Sequence, residues 1–224
     1  MSRITLSNAA EESYEVKKSV FIANAKPVNS AEEAMEFVDE IRRKYPDARH
    51  NVYAWVVKGE VLMQKYSDDG EPSGTGGLPV LSVLTKNDIT DAAVVVTRYF
   101  GGILLGKGGL IRAYTKAAAL AVREANPMTL EMCIRFAVEV DYKMSEKLIY
   151  DIRTNDYLIE NIEYGAGVIA YCLIPSYKGE EFVDFIVNRS NGRVEPIKLE
   201  EIEAPSSVVN IAIDNIEDEE VEDD

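Results

Sequence analysis

The 224-residue sequence has little of the residue types on which many metal and nucleophilic sites depend. It contains one histidine, His50, and two cysteines, Cys133 and Cys172. A histidine-rich metal site is therefore excluded, and a Ser-His-Asp triad would have to use His50, which no pattern pairs with a nucleophile. His50 stands at the start of a strand, where a structural role is favoured. The cysteines lie far apart among alternating apolar residues, which favours buried free thiols.

Long hydrophobic runs are also missing. The longest, AAVVV at 92–96 and AAALAV at 117–122, are far shorter than a membrane span. The first residues are polar and charged, without the apolar core of a signal peptide. We therefore expect a cytoplasmic protein that does not contact a membrane.

Acidic residues are unevenly distributed. The net charge is −15, yet residues 1–129 contain 16 Lys or Arg and 16 Asp or Glu, so the excess lies in the second half. Eight acids fall in Asp214–Asp224, a run typical of a solvated, disordered tail. The segment Ala92–Arg123 holds five cations and no acid. A positive local field is thus predicted inside an acidic protein.

Hydrophobic periodicity and turn signals predict an α+β first domain over residues 1–127. Ser30 and Glu33 form a capping box for a helix that ends near Lys44, before Pro46. The other predicted elements are strands at 13–16, 19–25, 51–57, 60–66 and 92–100, a short helix at 78–87, and a helix from about Gly109 to Glu124.

The second half predicts a strand at 131–142, a helix at 144–155, strands at 157–164 and 167–176, a helix at 178–192 and a strand at 193–202. This β-α-β-β-α-β order is the ferredoxin-like arrangement, which by itself assigns no function. We assign it to a second domain over 128–205, followed by an acidic, disordered tail over 206–224.

The segment Val94–Lys116, VVVTRYFGGILLGKGGLIRAYTK, predicts a buried strand, a glycine-rich loop and a helix. Loops of this kind present backbone N–H groups to anions. GGILLGKG nearly matches a P-loop, but Gly108 occupies the position of the magnesium-binding hydroxyl, and no downstream strand supplies a Walker B acid. Nucleotide hydrolysis is therefore disfavoured. The alternative that the glycines only permit positive φ and close packing stays open.

Cations in the first two turns of the following helix favour binding. Arg112 and Lys116 share one face and oppose the helix dipole, which indicates an anionic partner such as a phosphate backbone. Tyr99 and Phe100 could provide a stacking surface, although half-buried strand aromatics are commoner. The candidate nucleic-acid or phosphate site comprises Arg98, Tyr99, Gly101, Gly102, Gly106, Lys107, Gly108, Gly109, Arg112 and Lys116.

A second candidate is the loop SDDGEPSGTGG at 67–77. Its carboxylates could hold a divalent cation and its hydroxyls could bond a ligand, although it lacks the spacing of a calcium loop. The alternative is an acidic turn before a helix. The residues concerned are Asp68, Asp69, Glu71, Ser73 and Thr75.

At these two loops the chain resembles the IMPACT/YigZ family. YSDDGEPSGTGGLPVL and VVVTRYFGGILLGKGGLIRAYTKA are similar to the family signature, and the flanking RHNVYAW also fits. The resemblance covers residues 15–125, and the second half resembles the C-terminal domain of bacterial YigZ-type members. It implies a ribosomal protein S5 domain 2-like first domain and a ferredoxin-like second domain similar to one of elongation factor G.

The resemblance also implies a link to translation, because eukaryotic members of the family are tied to translational control. We expect a non-catalytic regulator, without metal or cofactor, that binds RNA, the ribosome or a translation factor through the glycine-rich loop and helix. The alternative is a phosphate- or nucleotide-binding protein or enzyme in which both loops line one pocket. A protein partner on the ferredoxin-like sheet, and competition by the acidic tail for the basic surface, are further expectations.

Overall fold

The computed structural model describes residues 2–208, in two compact units that comprise residues 3–129 and 130–206. Most of the predicted acidic tail, residues 209–224, lies outside the described residues. The last strand runs to Val208, three residues past the predicted end of the second domain at 205. No helix within the described part of the chain is long and apolar enough to cross a bilayer.

The first unit is built on an antiparallel five-stranded sheet of order β2-β3-β6-β4-β5. One apolar cluster joins one sheet face to α2 and α3, and a second joins the other face to α1. The elements are β1 (Arg3–Leu6), β2 (Ala10–Val16), β3 (Ser19–Pro27), α1 (Ala31–Lys44), β4 (His50–Lys58), β5 (Leu62–Ser67), α2 (Gly77–Lys86), β6 (Ala92–Tyr99) and α3 (Gly106–Glu124).

Local signals set the position of α1. The Ser30 hydroxyl accepts a hydrogen bond from Glu33 N at 3.1 Å, as the predicted cap requires. The Glu33 carboxylate accepts from Asn29 N at 2.8 Å, one residue before the usual partner in a capping box. The predicted helix start is thereby confirmed.

β6 lies between β3 and β4, and residues 92–98 are all buried. Val94 and Val96 pack toward α2 and α3, whereas Ala93 and Val95 pack toward α1. A strand covered on both faces is nearly continuously apolar, as the sequence shows. Arg98, near its end, is a charged residue in a buried position.

The glycine-rich loop is shorter than predicted because α3 begins at Gly106 and not near Gly109. Gly106, Gly108 and Gly109 thus belong to the first helical turn. A Cβ on Gly109 would lie 3.1 Å from Leu105 Cβ, so this tight first turn favours a residue without a side chain.

The second unit has the predicted ferredoxin-like order. Its sheet runs β10-β7-β9-β8, and Phe136, Ile152 and Phe182 belong to the core that the sheet forms with the two helices. Cys133 and Cys172 are buried free thiols, as predicted, and burial raises the pKa of Cys172 to about 12. The elements are β7 (Pro127–Val140), α4 (Tyr142–Thr154), β8 (Leu158–Tyr164), β9 (Val168–Pro175), α5 (Gly179–Arg189) and β10 (Ile197–Val208).

Candidate nucleic-acid interface

The glycine-rich loop packs against the tight turn between β2 and β3. Gly101 N donates to the Ser19 hydroxyl at 3.1 Å, and a Cβ on Gly101 would lie 2.0 Å from the Lys18 carbonyl carbon. Lys17 and Lys18 form the turn with φ of 46° and 62°. This contact brings two exposed lysines, which the sequence did not indicate as site residues, beside the loop.

The cations of α3 remain available at the surface. Lys107 and Arg112 are exposed and Lys116 is half-buried. The first turn of α3 holds no acid, and its N-cap makes no side-chain hydrogen bond. Within residues 2–208, none of the ion pairs involves these three residues or the turn lysines. We call this set the basic face: Lys17, Lys18, Lys107, Arg112 and Lys116.

Arg98 does not lie on the exposed surface that the sequence indicated for it. Its Nη1 donates to Glu71 Oε1 at 2.7 Å, and the two side chains are only 8% and 3% exposed. The Tyr114 hydroxyl donates to the same oxygen at 2.8 Å. Burial, and then the charge of Glu71, raise the pKa of Tyr114, so its hydroxyl stays protonated as a donor. The Glu71 carboxylate thereby compensates the charge of Arg98.

The guanidinium of Arg98 contacts two aromatic rings. Its Cζ is 5.4 Å from the ring centre of buried Phe21 and 5.5 Å from that of Phe100, which is 56% exposed. Both distances are typical of cation–π contacts. Phe100 is therefore in contact with a buried cation while much of its surface is exposed to solvent. Tyr99, beside it, donates its hydroxyl to Asp47 Oδ1 at 3.0 Å.

The second loop uses its polar groups to hold its own shape. Asp68 accepts hydrogen bonds from the backbone N–H groups of Gly74, Gly76 and Gly77 at 2.9–3.0 Å. Asp69 accepts from Asn51 N at 2.7 Å and pairs with Arg42 at 3.1 Å. Thr75 donates to Pro72 O at 2.6 Å, whereas Ser73 is exposed. The loop is therefore an acidic turn before α2, the alternative that the sequence left open.

The pKa of Asp68 reports this arrangement. Partial burial would raise it, but the three N–H donors outweigh burial and hold it below its ordinary value. Because its lone pairs are already directed at the backbone, Asp68 has little left to offer a cation. In the described part of the chain, no three His, Cys, Asp or Glu side chains are grouped for metal binding.

A cleft of about 680 Å³ lies between the two glycine-rich segments. Glu71 of the second loop and Lys107 of α3 both line it, but Asp68 and Asp69 do not. The two loops thus share one cleft, without the triple carboxylate that would favour nucleotide–metal chemistry. Its apolar lining includes Phe100, Leu104, Leu105 and Leu110.

The cleft also contains His50 and Arg49, which the sequence did not indicate as site residues. His50 Nδ1 lies 2.9 Å from the Asp69 carbonyl oxygen. A carbonyl only accepts, so Nδ1 is the donor in this contact. His50 pairs with Arg98 in the β4–β6 register, a placement that only the strand order could have indicated.

The ferredoxin-like sheet also has a second, smaller group of contacts outside its main core. Cys133, Leu173 and Ala204 form a small buried apolar cluster there. Arg135 pairs with Glu160 at 2.7 Å and with Glu200. The use of the ferredoxin-like sheet by a protein partner stays a prediction, as does the assignment of the glycine-rich segment to phosphate binding.

These two units define an α+β protein with a ribosomal protein S5 domain 2-like domain followed by a ferredoxin-like domain, as predicted. The model of the Impact N-terminal domain matches residues 17–122, and that of a domain of unknown function, DUF1949, matches residues 138–193. The chain belongs to the IMPACT family. The IMPACT family member YvyE of Bacillus subtilis is 34% identical over 93% of this chain and 96% of its own length.

One solved structure supports the same fold. A crystal structure of a hypothetical protein has a TM-score of 0.55 and 32% identity, and the match covers 89% of this chain and 98% of that one. A structure titled as the two-domain translational regulator Yih1 has 30% identity over 55% of this chain and 46% of its own. Its TM-score of 0.35 is too low to carry that role to this chain.

Proposed function

We propose that this protein is a non-catalytic, cytoplasmic regulator associated with translation, and that it binds RNA or ribosomal phosphates through the basic face. The observation that carries the proposal is a set of five cations on the β2–β3 turn and on α3, none of which is ion-paired within residues 2–208. Other cations of the same domain, such as Arg42 and Lys44, do pair with acids.

The position of these cations supports an anionic partner. Lys107 and Arg112 lie in the first two turns of α3, where positive charge opposes the helix dipole and lowers stability slightly. A bound phosphate would reverse that cost, because it would interact favourably with the cations and with the free N–H groups of the first turn. Gly102 and Gly106 have no neighbour within 4 Å of an added Cβ, so a phosphate group can approach the backbone there.

Membership of the IMPACT family supports the link to translation, since eukaryotic members of that family are tied to translational control. A translation factor is the alternative partner for the same surface. The S5-like fold adds an analogy to ribosomal proteins, which bears on the class of partner and not on its identity.

A second candidate function is the binding of a small phosphate or nucleotide ligand in the cleft. The observation that favours it is that Glu71 and Lys107, from the two glycine-rich segments, line one cavity. A thermal-shift screen with nucleotides, with and without magnesium, separates the candidates. A free nucleotide that raises the unfolding temperature as strongly as RNA does would favour a small-ligand protein.

The test of the basic face is a pair of charge reversals with a matched control. In Lys107→Glu/Arg112→Glu, we expect the salt-sensitive affinity for a single-stranded RNA to be largely lost, and ribosome co-sedimentation to fall with it. The slope of log K against log salt should decrease by about 1 for each phosphate contact removed. The control Lys86→Glu/Arg123→Glu makes the same change of net charge at exposed positions in the last turns of α2 and α3.

Two results would overturn the proposal. One is a wild-type protein that binds neither RNA nor ribosomes at low salt. The other is an equal loss of binding in the control pair, which would show that overall charge and not the basic face determines the affinity.

A further inference from the structure

We propose that the cleft beside the basic face holds one unstacked nucleotide of a single-stranded RNA, with its base on the exposed face of Phe100 and its phosphodiester near Lys107. The inference rests on the proposed function and specifies which part of the RNA binds in the cleft. The cavity of about 680 Å³ falls in the range of about 300–1,000 Å³ typical of small-molecule sites.

A cation–π stack points to the base position. The Arg98 guanidinium lies 5.4 Å from the ring centre of the fully buried Phe21 and 5.5 Å from that of Phe100. Phe100 exposes 56% of its surface although it is a large apolar side chain. A planar base is a suitable partner for this exposed ring, since unstacked RNA bases stack on aromatic rings and on arginine planes.

The stack is fixed in place from within the domain. Glu71 holds Arg98 through Nη1 at 2.7 Å, and Tyr114 holds Glu71 at 2.8 Å. Arg98 is 7% exposed, and its Nε has no hydrogen-bond partner among the described residues. A buried cation that leaves a donor unpaired lowers stability. That cost is consistent with a role of Arg98 in holding the ring of Phe100. Such a preformed platform loses little freedom on binding.

The charge of the cleft favours a phosphodiester. Arg98 and Glu71 cancel each other, so Arg49, Lys107 and Asp47 leave a net charge of one positive unit among the lining groups. A phosphodiester carries one negative charge, whereas a free phosphomonoester carries about 1.5–2 at neutral pH. A linked nucleotide therefore neutralises the lining charge, whereas the dianion of a free mononucleotide would bring one uncompensated negative charge into the cleft.

The probe is ApA, a dinucleoside monophosphate with one phosphodiester, titrated into ¹⁵N-labelled full-length protein. We expect a Kd on the order of 1 mM, weaker binding of AMP, and shifts confined to amides near Gly101 and Lys107. Phe100→Ala should weaken ApA binding by about 5- to 150-fold, the range that base stacking on an aromatic ring gives. Phe100→Trp should restore it.

Leu104→Ala is the matched control, because Leu104 is 83% exposed in the same cleft and has no ring. It should change ApA affinity by less than about 3-fold. Trp55, the single tryptophan and a buried residue of the same domain, reports by its fluorescence whether Phe100→Ala and Leu104→Ala are folded. Phe100→Trp adds a second indole, so its fold is checked from its ¹⁵N spectrum.

The outcomes separate this inference from the proposed function. Equal ApA affinity in Phe100→Ala and wild type would overturn the nucleotide site, as would no ApA binding by a wild type that still binds long RNA in a salt-sensitive way. Loss of ApA binding in Phe100→Ala, with an unchanged salt slope for long RNA, would support it. ApA binding without any affinity for long RNA would refute the basic face and would also overturn the assignment of the cleft to a nucleotide within RNA, because it would indicate a small-ligand site.

Discussion

Replacement of Tyr114 by Phe tests whether the buried network behind the cleft stabilises the first domain. The change removes one hydroxyl, whose hydrogen bond to Glu71 is 2.8 Å long, and keeps the ring that packs edge-on against Phe21 at 5.1 Å. Hydrogen bonds to charged groups contribute about 1.5–3 kcal/mol. The Glu71 side chain is 3% exposed, so water cannot readily replace the lost donor. We expect a loss of about 2 kcal/mol in the free energy of unfolding.

Tyr45→Phe is the matched control for this substitution. The Tyr45 hydroxyl also donates to a carboxylate, that of Glu11, at 2.8 Å, but the pair is exposed. Its removal should cost less than about 0.5 kcal/mol, because water takes over the acceptor. Geometry and chemistry are thus the same in the two variants, and burial is the variable.

Urea unfolding followed by Trp55 fluorescence measures both losses. Trp55 is 6% exposed in β4, so its emission reports the first domain alone. With an m value of about 2 kcal/mol/M, Tyr114→Phe should lower the midpoint by about 1 M and Tyr45→Phe by less than about 0.25 M. Midpoints that fall equally in the two variants would refute the reasoning that burial makes this network strong.

Two further predictions concern the glycine-rich segments. Because the pKa of Asp68 is depressed on folding, its contribution is full above the unfolded pKa, near 4, and is lost as pH falls through the lower folded pKa. In urea titrations, Asp68→Asn should be less stable than wild type at pH 7, and the gap should close in acid; a pH-independent gap contradicts this. Gly101→Ala should cost about 1–3 kcal/mol because its Cβ meets the Lys18 backbone. In thermal unfolding, Gly108→Ala should be neutral or stabilising, since the nearest atom to its added Cβ is 4.0 Å away. Equal losses of unfolding temperature in Gly101→Ala and Gly108→Ala would contradict the close contact at Gly101.

Much of the fold is predictable because its signals are local. The capping box at Ser30 and Glu33 fixed the start of α1, and the apolar run before Arg98 indicated a strand buried on both faces. Alternating residues in the second half gave the ferredoxin-like order. The start of α3 was misplaced because glycine lowers helix propensity.

The site was harder to predict because its key contacts are not local. Arg98 and Glu71 are 27 residues apart, and Glu71 and Tyr114 are 43 apart. An arginine beside a glycine-rich loop is read as an anion-binding residue when its acidic partner is distant in sequence and therefore not recognised. The place of Lys18 beside Gly101 likewise depends on the packing of a turn against a loop distant in sequence.

Burial separates two roles that the sequence pattern assigned to one group of cations. Arg98 is compensated by Glu71 in a site of low dielectric, where a change of partner would cost the desolvation of both charges. It therefore acts as support for Phe100 and adds little to long-range attraction. Lys107 and Arg112 stay solvated, so their interaction with phosphate is screened by salt. If both proposals hold, Arg112→Glu should change the salt dependence alone and Phe100→Ala the base stacking alone, whereas Lys107, which belongs to the basic face and also lines the cleft, contributes to both.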